Sequence, residues 1–133
     1  TVAYENGLEL TSAVEEGLFV SGNSVQLKQL TSILIDNAIR HSERGSAVAL
    51  SLRRERSHAV LSVVNAGPPI PAEAQIFERF YRTDSARTGE GQNYGLGLAI
   101  AKAVVLAHKG SIDVRCCDGK VEFYARLPIA KTP

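Results

Sequence analysis

Tryptophan is absent, and aromatic side chains make up only 6% of the 133 residues, which leaves little material for stacking nucleobases on an open surface. Neither sign of charge is in excess. The formal net charge of +1 offers no electrostatic footprint of a nucleic-acid or membrane-surface binder. No apolar run is long enough to span a bilayer, and no signal peptide is legible at the start. Cysteine is scarce as well. The two present, Cys116 and Cys117, are neighbours. On a strand they point to opposite faces, so they are poorly placed to chelate one metal or to pair with each other. They read as buried or half-buried reduced thiols of a reducing compartment. With 44% hydrophobic and 22% charged residues, what remains is an ordinary globular composition of a length that suits one domain. The opening TVAYENG reads as the start of a piece cut from a longer chain.

The hydrophobic pattern changes period along the chain. LELTSAV and LFVSG alternate as two short strands around an EEG turn. Asn23 or Ser24 then caps a helix running to His41, with Leu27, Leu30, Ile33, Leu34 and Ala38 at helical spacing. AVALSLRRE and AVLSVVNA read as two strands joined through Arg56, Ser57 and His58. A long Gly- and Pro-rich segment follows, with a short helix expected around Ala74 to Phe80; loops of this length in compact domains are commonly lids or binding loops. LGLAIAKAVVLAHK is a second helix, with Gly110 as its expected left-handed terminator. SIDVRCC and KVEFYARLP close the chain as a hairpin turning at Asp118 and Gly119. The order implies an α+β fold, a two-layer sandwich with a mixed sheet covered on one face by helices.

Three stretches carry candidate chemistry. In ILIDNAIRHS, Asp36, Asn37, Arg40 and His41 interrupt an apolar helix. Asn37 falls beside the buried stripe, where its amide must find partners. A loop could supply them, and so could a bound divalent cation, which suits an amide carbonyl. In VVNAGPPIP an apolar strand ends at Asn65 and breaks at Gly67. That pattern fits a plain turn, or a place where backbone closely approaches a flat ligand. In TGEGQNYGLGLAIAK, Gly89, Gly91, Gly95 and Gly97 precede or open an apolar helix. Free N–H groups and the helix dipole favour a phosphate there. The stretch is neither a P-loop nor a dinucleotide fingerprint, because no Gly-Lys-Ser/Thr follows and no strand precedes it.

Taken together and in this order, the stretches resemble the catalytic ATP-binding domain of bacterial sensor histidine kinases, the Bergerat or GHKL fold. ILIDNAIRHS is similar to the N box, VVNAGPPIP to the first glycine box, IFERFYRTD to the F box, and YGLGLAIAKAVVLAHKGSI to the second glycine box. The resemblance covers Leu8 to Pro128 and implies one domain over residues 1–133, with an ATP lid over residues 82–94. It implies ATP and Mg2+ as ligands. Asn37 would bind the metal, Asp36 would orient or activate the attacking histidine, and Arg40 would contact phosphate. His41 would sit near the nucleotide, and Asn65 would meet the adenine amino group. Gly67 and Ile70 would form the turn and floor beneath the base. Arg82 would act from the lid, Phe77 and Phe80 would anchor the lid base, and Gly95, Leu96 and Gly97 would bring backbone to the phosphates.

The sequence departs from the family pattern at several places. Ile33 stands where a first asparagine is common, which removes one polar phosphate or metal contact. Asn65 replaces the usual aspartate, as in the NxGxxI form of heavy-metal-sensor-like kinases. Its oxygen can still accept and its NH2 could donate to a ring nitrogen, but the charge that strengthens such a bond is lost. Pro69 replaces the second glycine of the first box, and Asn93 and Tyr94 stand where the lid usually has glycine and a small residue, which removes backbone freedom.

None of the three histidines, His41, His58 and His108, lies in a recognisable acceptor motif. The resemblance therefore implies that the acceptor belongs to a separate dimerisation domain, that a response regulator acts downstream, and that the domain alone is monomeric and nearly inert. It also implies a cytoplasmic domain of an inner-membrane-anchored sensor, with no nucleic-acid partner. The alternatives are a degenerate, non-catalytic interaction module, a GHKL ATPase or protein serine kinase, and an unrelated α+β binding domain.

Overall fold

The computed structural model describes residues 9–43, 45–68, 76–77 and 95–130. Seven elements follow in order: β1 (Glu9–Val14), α1 (Ser24–His41), β2 (Ala47–Glu55), β3 (His58–Ala66), α2 (Gly95–Ala107), β4 (Ser111–Cys117) and β5 (Lys120–Pro128). The sheet order is β1-β2-β3-β5-β4. β1 runs parallel to β2 through the α1 crossover, and the other neighbours are antiparallel. Both helices pack on one face, which gives the expected two-layer α+β sandwich with a mixed sheet.

Helix α1 starts where Asn23, in extended conformation, accepts a hydrogen bond at 3.0 Å from the Gln26 N–H through its side-chain oxygen. This satisfies one of the donors that a helix start leaves open. Leu30, Leu34 and Ala38 have no exposed surface and form the stripe that meets the sheet. From the sheet side, Val63 and Phe123 lie directly opposite each other on β3 and β5, and both are buried. Phe77 meets Phe123 edge-on, with ring centroids 6.0 Å apart at 87°. That contact joins the F-box residue to the core beneath the helices.

The open face of the same sheet is polar and internally paired. Ser62 donates to Glu122, which also pairs with Arg115 at 2.6 Å. Glu55 bridges Arg53 at 2.8 Å and Arg126 at 3.2 Å. The Arg115 guanidinium stacks over Tyr124 at 4.7 Å. Burial pushes the Glu122 carboxyl up, but the hydrogen bonds from Arg115 and Ser62 outweigh it and hold it below the usual range.

Three local expectations need correction. Leu18 to Gly22 is not a strand. β1 pairs parallel with β2, so EEG does not close a hairpin, and the next segment crosses the domain, where the Phe19 carbonyl accepts from the Ala130 N–H. The left-handed residue ending α2 is Lys109 (φ 62), not Gly110. The Gly110 N–H bonds the Val105 carbonyl and the Lys109 N–H bonds the Leu106 carbonyl, a Schellman ending with lysine in the left-handed place. Glycine is needed at 110 for space, because a Cβ there would lie 2.1 Å from the Arg126 carbonyl oxygen. Cys117 is exposed, whereas Cys116 is half-buried against the core. The Asp118–Gly119 turn, with both residues at positive φ, matches the expected hairpin.

Candidate functional site

Two contacts set the register of α1 against α2. The Asn23 N–H meets His108 Nε2 at 3.0 Å, and a Cβ at Gly97 would sit 3.7 Å from Ile33 Cγ2. From Asn23 to Ile33 α1 advances about 15 Å, and from His108 back to Gly97 α2 advances about 16 Å. The helices are therefore antiparallel and stay level along this seam. Asn37 is one turn beyond Ile33, about 6 Å further along α1, which brings it level with the amino end of α2. Ile33, where a polar residue was expected from the resemblance, serves as the apolar contact that lets the helices close on Gly97.

Asn37 is 9% exposed, and its side-chain nitrogen is buried without a hydrogen-bond partner. A buried amide atom left unpaired costs about 1–3 kcal/mol, so a polar group from outside the protein would relieve it. Because the oxygen and nitrogen of a carboxamide exchange places by rotation, the group can present a metal-binding oxygen in the same direction. Asp36 and Arg40 flank it on the exposed side of the helix. Among the described residues no cluster of three His, Cys, Asp or Glu could hold a metal by itself. A hard cation here would take most of its ligands from a phosphate and water.

One further turn along, the carbonyl of half-buried His41 ties α1 to the end of β3. It accepts from Asn65 Nδ2 at 3.5 Å, and the same NH2 donates to the Ala66 carbonyl at 3.3 Å. The Asn65 NH2 is thus committed to the protein's own backbone. This leaves the carboxamide oxygen as the atom placed to accept from outside. Gly67 fits closely into the same junction. A Cβ there would come 3.1 Å from the His41 carbonyl oxygen and 3.3 Å from Asn65 Nδ2, and its N–H is held by the Gly119 carbonyl.

The amino end of α2 begins at Gly95 with no acidic residue in its first turn. A helix start has N–H groups with no partner inside the helix and a positive dipole end, and both favour an anion. His41, Asn65 and Gly67 meet at one edge of the two layers, Asn37 lies one turn back along α1, and Gly97 packs against Ile33 a further turn back. Gly95 and Leu96 are placed there by the helix backbone. Ile70, Arg82, Phe80, Pro69, Asn93, Tyr94 and the lid over residues 82–94 lie outside the described residues, as does all of the Ala74 to Phe80 helix except Ile76 and Phe77. A cavity of about 660 Å³ lined by Glu55, Arg56, Ser57, His58 and Arg126 lies at the opposite end of the sheet. The Glu55 carboxylate there is bridged by Arg53 and Arg126.

Residues 22–131 match the family of histidine kinase-, DNA gyrase B- and HSP90-like ATPases. The chain belongs to that family, as a catalytic ATP-binding domain of the two-component sensor histidine kinase type. TcrY of Mycobacterium tuberculosis, a probable sensor histidine kinase, is 40% identical over 116 residues, covering 86% of this chain and 24% of TcrY. The solved structure of the mycobacterial sensor histidine kinase MprB superposes with a TM-score of 0.83 at 30% identity, covering 98% of this chain and 89% of that one. Full-length ShkA, solved in complex with AMPPNP, gives a TM-score of 0.82 at 31% identity, covering 98% of this chain and 27% of ShkA. The chain spans a quarter to a third of the length of the curated relatives it matches.

Proposed function

We propose that this domain binds ATP with Mg2+ and presents the γ-phosphoryl group to a histidine on a separate dimerisation domain, within a two-component sensor kinase. The observation that carries the proposal is the buried, unpartnered amide of Asn37 near the amino end of α2. The AMPPNP complex of the similar ShkA supports the nucleotide reading.

Phosphoryl transfer asks a protein chiefly to position the phosphates and neutralise their charge. Asn37 would hold the magnesium ion, which would supply positive charge to offset that of the phosphates. Arg40 supplies a further positive charge, and the α2 N–H groups near Gly95, Leu96 and Gly97 receive phosphate oxygens. Asn65 accepts from the adenine amino group through its carboxamide oxygen, over the turn at Gly67, with Ile70 as the floor of the base pocket. His41 borders the nucleotide, and Arg82 reaches it from a lid over residues 82–94. Asp36, exposed beside Asn37, orients or activates the incoming histidine. Phe77, locked against Phe123, holds the lid base in place.

In this reading residues 1–133 are one catalytic domain, monomeric alone. It works on the cytoplasmic side of a membrane-anchored sensor that passes its phosphoryl group to a response regulator. No helix of the described residues is long and apolar enough to cross a membrane. Isothermal titration with a non-hydrolysable ATP analogue tests the proposal. Binding is expected with magnesium and should weaken sharply in EDTA. Absence of heat under both conditions, at protein concentrations where the domain is folded, would overturn it.

A further inference from the structure

We infer that His108 is a positioning residue for the nucleotide site, acting through the two helices from their far ends. His108 Nδ1 lies 2.7 Å from the Val104 carbonyl oxygen, and Nε2 lies 3.0 Å from the Asn23 N–H. A carbonyl only accepts and a backbone N–H only donates. Nδ1 therefore carries the proton, Nε2 is the acceptor, and the ring is neutral. Asn23 is the residue that starts α1, and its side chain and carbonyl already bond Gln26 and Leu27. The imidazole thus joins the first residue of the Asn37 helix to the last turn of the α2 helix. The ring lies directly on Gly22, where a Cβ would fall 2.0 Å from Cδ2 and 2.2 Å from Nε2. Any side chain at 22 would force the ring out of this position.

Along the seam, this strut and the Ile33–Gly97 contact are the two ends of one register. Sliding either helix moves Asn37 relative to the amino end of α2, although His108 lies about 16 Å from Gly97 along the axis of α2. A misplacement of about 1 Å at a phosphate site can cost a large factor in function. The inference rests on the nucleotide-site reading above, and the test keeps the two separable.

Without nucleotide, His108→Ala is expected to shift the NMR resonances of the Gly97 backbone amide and the Asn37 side-chain amide at the far end of the seam. Shifts confined to residues 22–24 and 104–110 would make His108 a local structural residue and overturn the inference. With the ATP analogue, measured well below the unfolding temperature, His108→Ala and Gly22→Ala should each bind about tenfold more weakly. The double variant should bind no more weakly than His108→Ala, since the alanine at 22 then meets no ring. Unchanged affinity in His108→Ala, or additive losses in the double variant, would overturn the inference. His108→Gln, whose carboxamide oxygen can accept near the Nε2 position, should recover most of the affinity, and recovery no better than alanine would also count against it. A wild-type domain that binds no nucleotide would defeat the ATP reading, and the resonance shifts would still decide whether the strut sets the register.

Discussion

On the uncovered face of the sheet, Ser62, Glu122 and Arg115 hold one another, and Glu55 is held between Arg53 and Arg126. On the helix-covered side, Asn37 is just as deeply placed among apolar residues, yet its amide nitrogen meets nothing in the protein. The first face has closed its polar account internally and stays in contact with water. The second keeps one polar group desolvated and open, an arrangement that makes sense where a ligand completes it.

Adjacent residues on β5 give the largest test of this contrast. Phe123 faces the helices and is 1% exposed, while Tyr124 faces outward and is only partly covered. Phe123→Ala is expected to cost about 3–5 kcal/mol in urea unfolding. Tyr124→Ala should cost about 1 kcal/mol, through its cation–π contacts with Arg115 and Arg126. Equal losses would erase the distinction between the faces.

Asn37→Leu should separate stability from function. Removing an unpaired buried amide is expected to raise the stability of the nucleotide-free domain by about 1 kcal/mol and to abolish magnesium-dependent binding in a fluorescent-nucleotide titration. A destabilised variant that still binds would show that the amide is structural. Gly97→Ala works in the same direction with a smaller amplitude. Its Cβ would make only ordinary contact with Ile33, and alanine favours a helix by up to about 1 kcal/mol over glycine. The thermal midpoint should therefore hold or rise while nucleotide affinity falls. Unchanged affinity would remove Gly97 from the phosphate site.

The smallest effect belongs to the outer face. Because the folded-state pKa of Glu122 is lowered, its contribution is fully present above the ordinary carboxylate value of about 4.3. It is lost as pH falls through the lower folded value. Arg115 is 55% exposed, so solvent screening limits the pair, and Glu122→Gln should cost about 0.2–1 kcal/mol at neutral pH. The difference from wild type should fade in acid unfolding series below about pH 4. A difference that grows with acidity would contradict the depressed carboxyl.

Much of this was legible in one dimension. Asn23 as a cap, the periodic stripe of α1 and the Asp118–Gly119 turn each depend on a residue and its near neighbours, and all appear where the spacing put them. The misreadings came where a distant partner intervened. Leu18 to Gly22 alternates like a strand, but β1 pairs parallel with β2, so the chain crosses over to α1 there and does not turn back as a hairpin. Gly110 looks like a left-handed terminator, yet the crowding carbonyl of Arg126 is what requires it. The glycine at 22 and the histidine at 108 carry no mutual signal along the chain, and only the antiparallel helix pair brings them into contact.

Local chemistry therefore indicated which segments become helix or strand, Leu18 to Gly22 excepted, and the order of the motifs and their residues carried the resemblance to the family. The tertiary structure decided how those residues are used: the Asn65 NH2 is turned toward backbone, Ile33 becomes a helix-to-helix contact, and the Asn37 amide is left unmatched at the head of α2. Periodicity and capping act over one or two turns and are written in sequence order. The register between packed helices depends on contacts between residues far apart in the chain, and these exist only after folding.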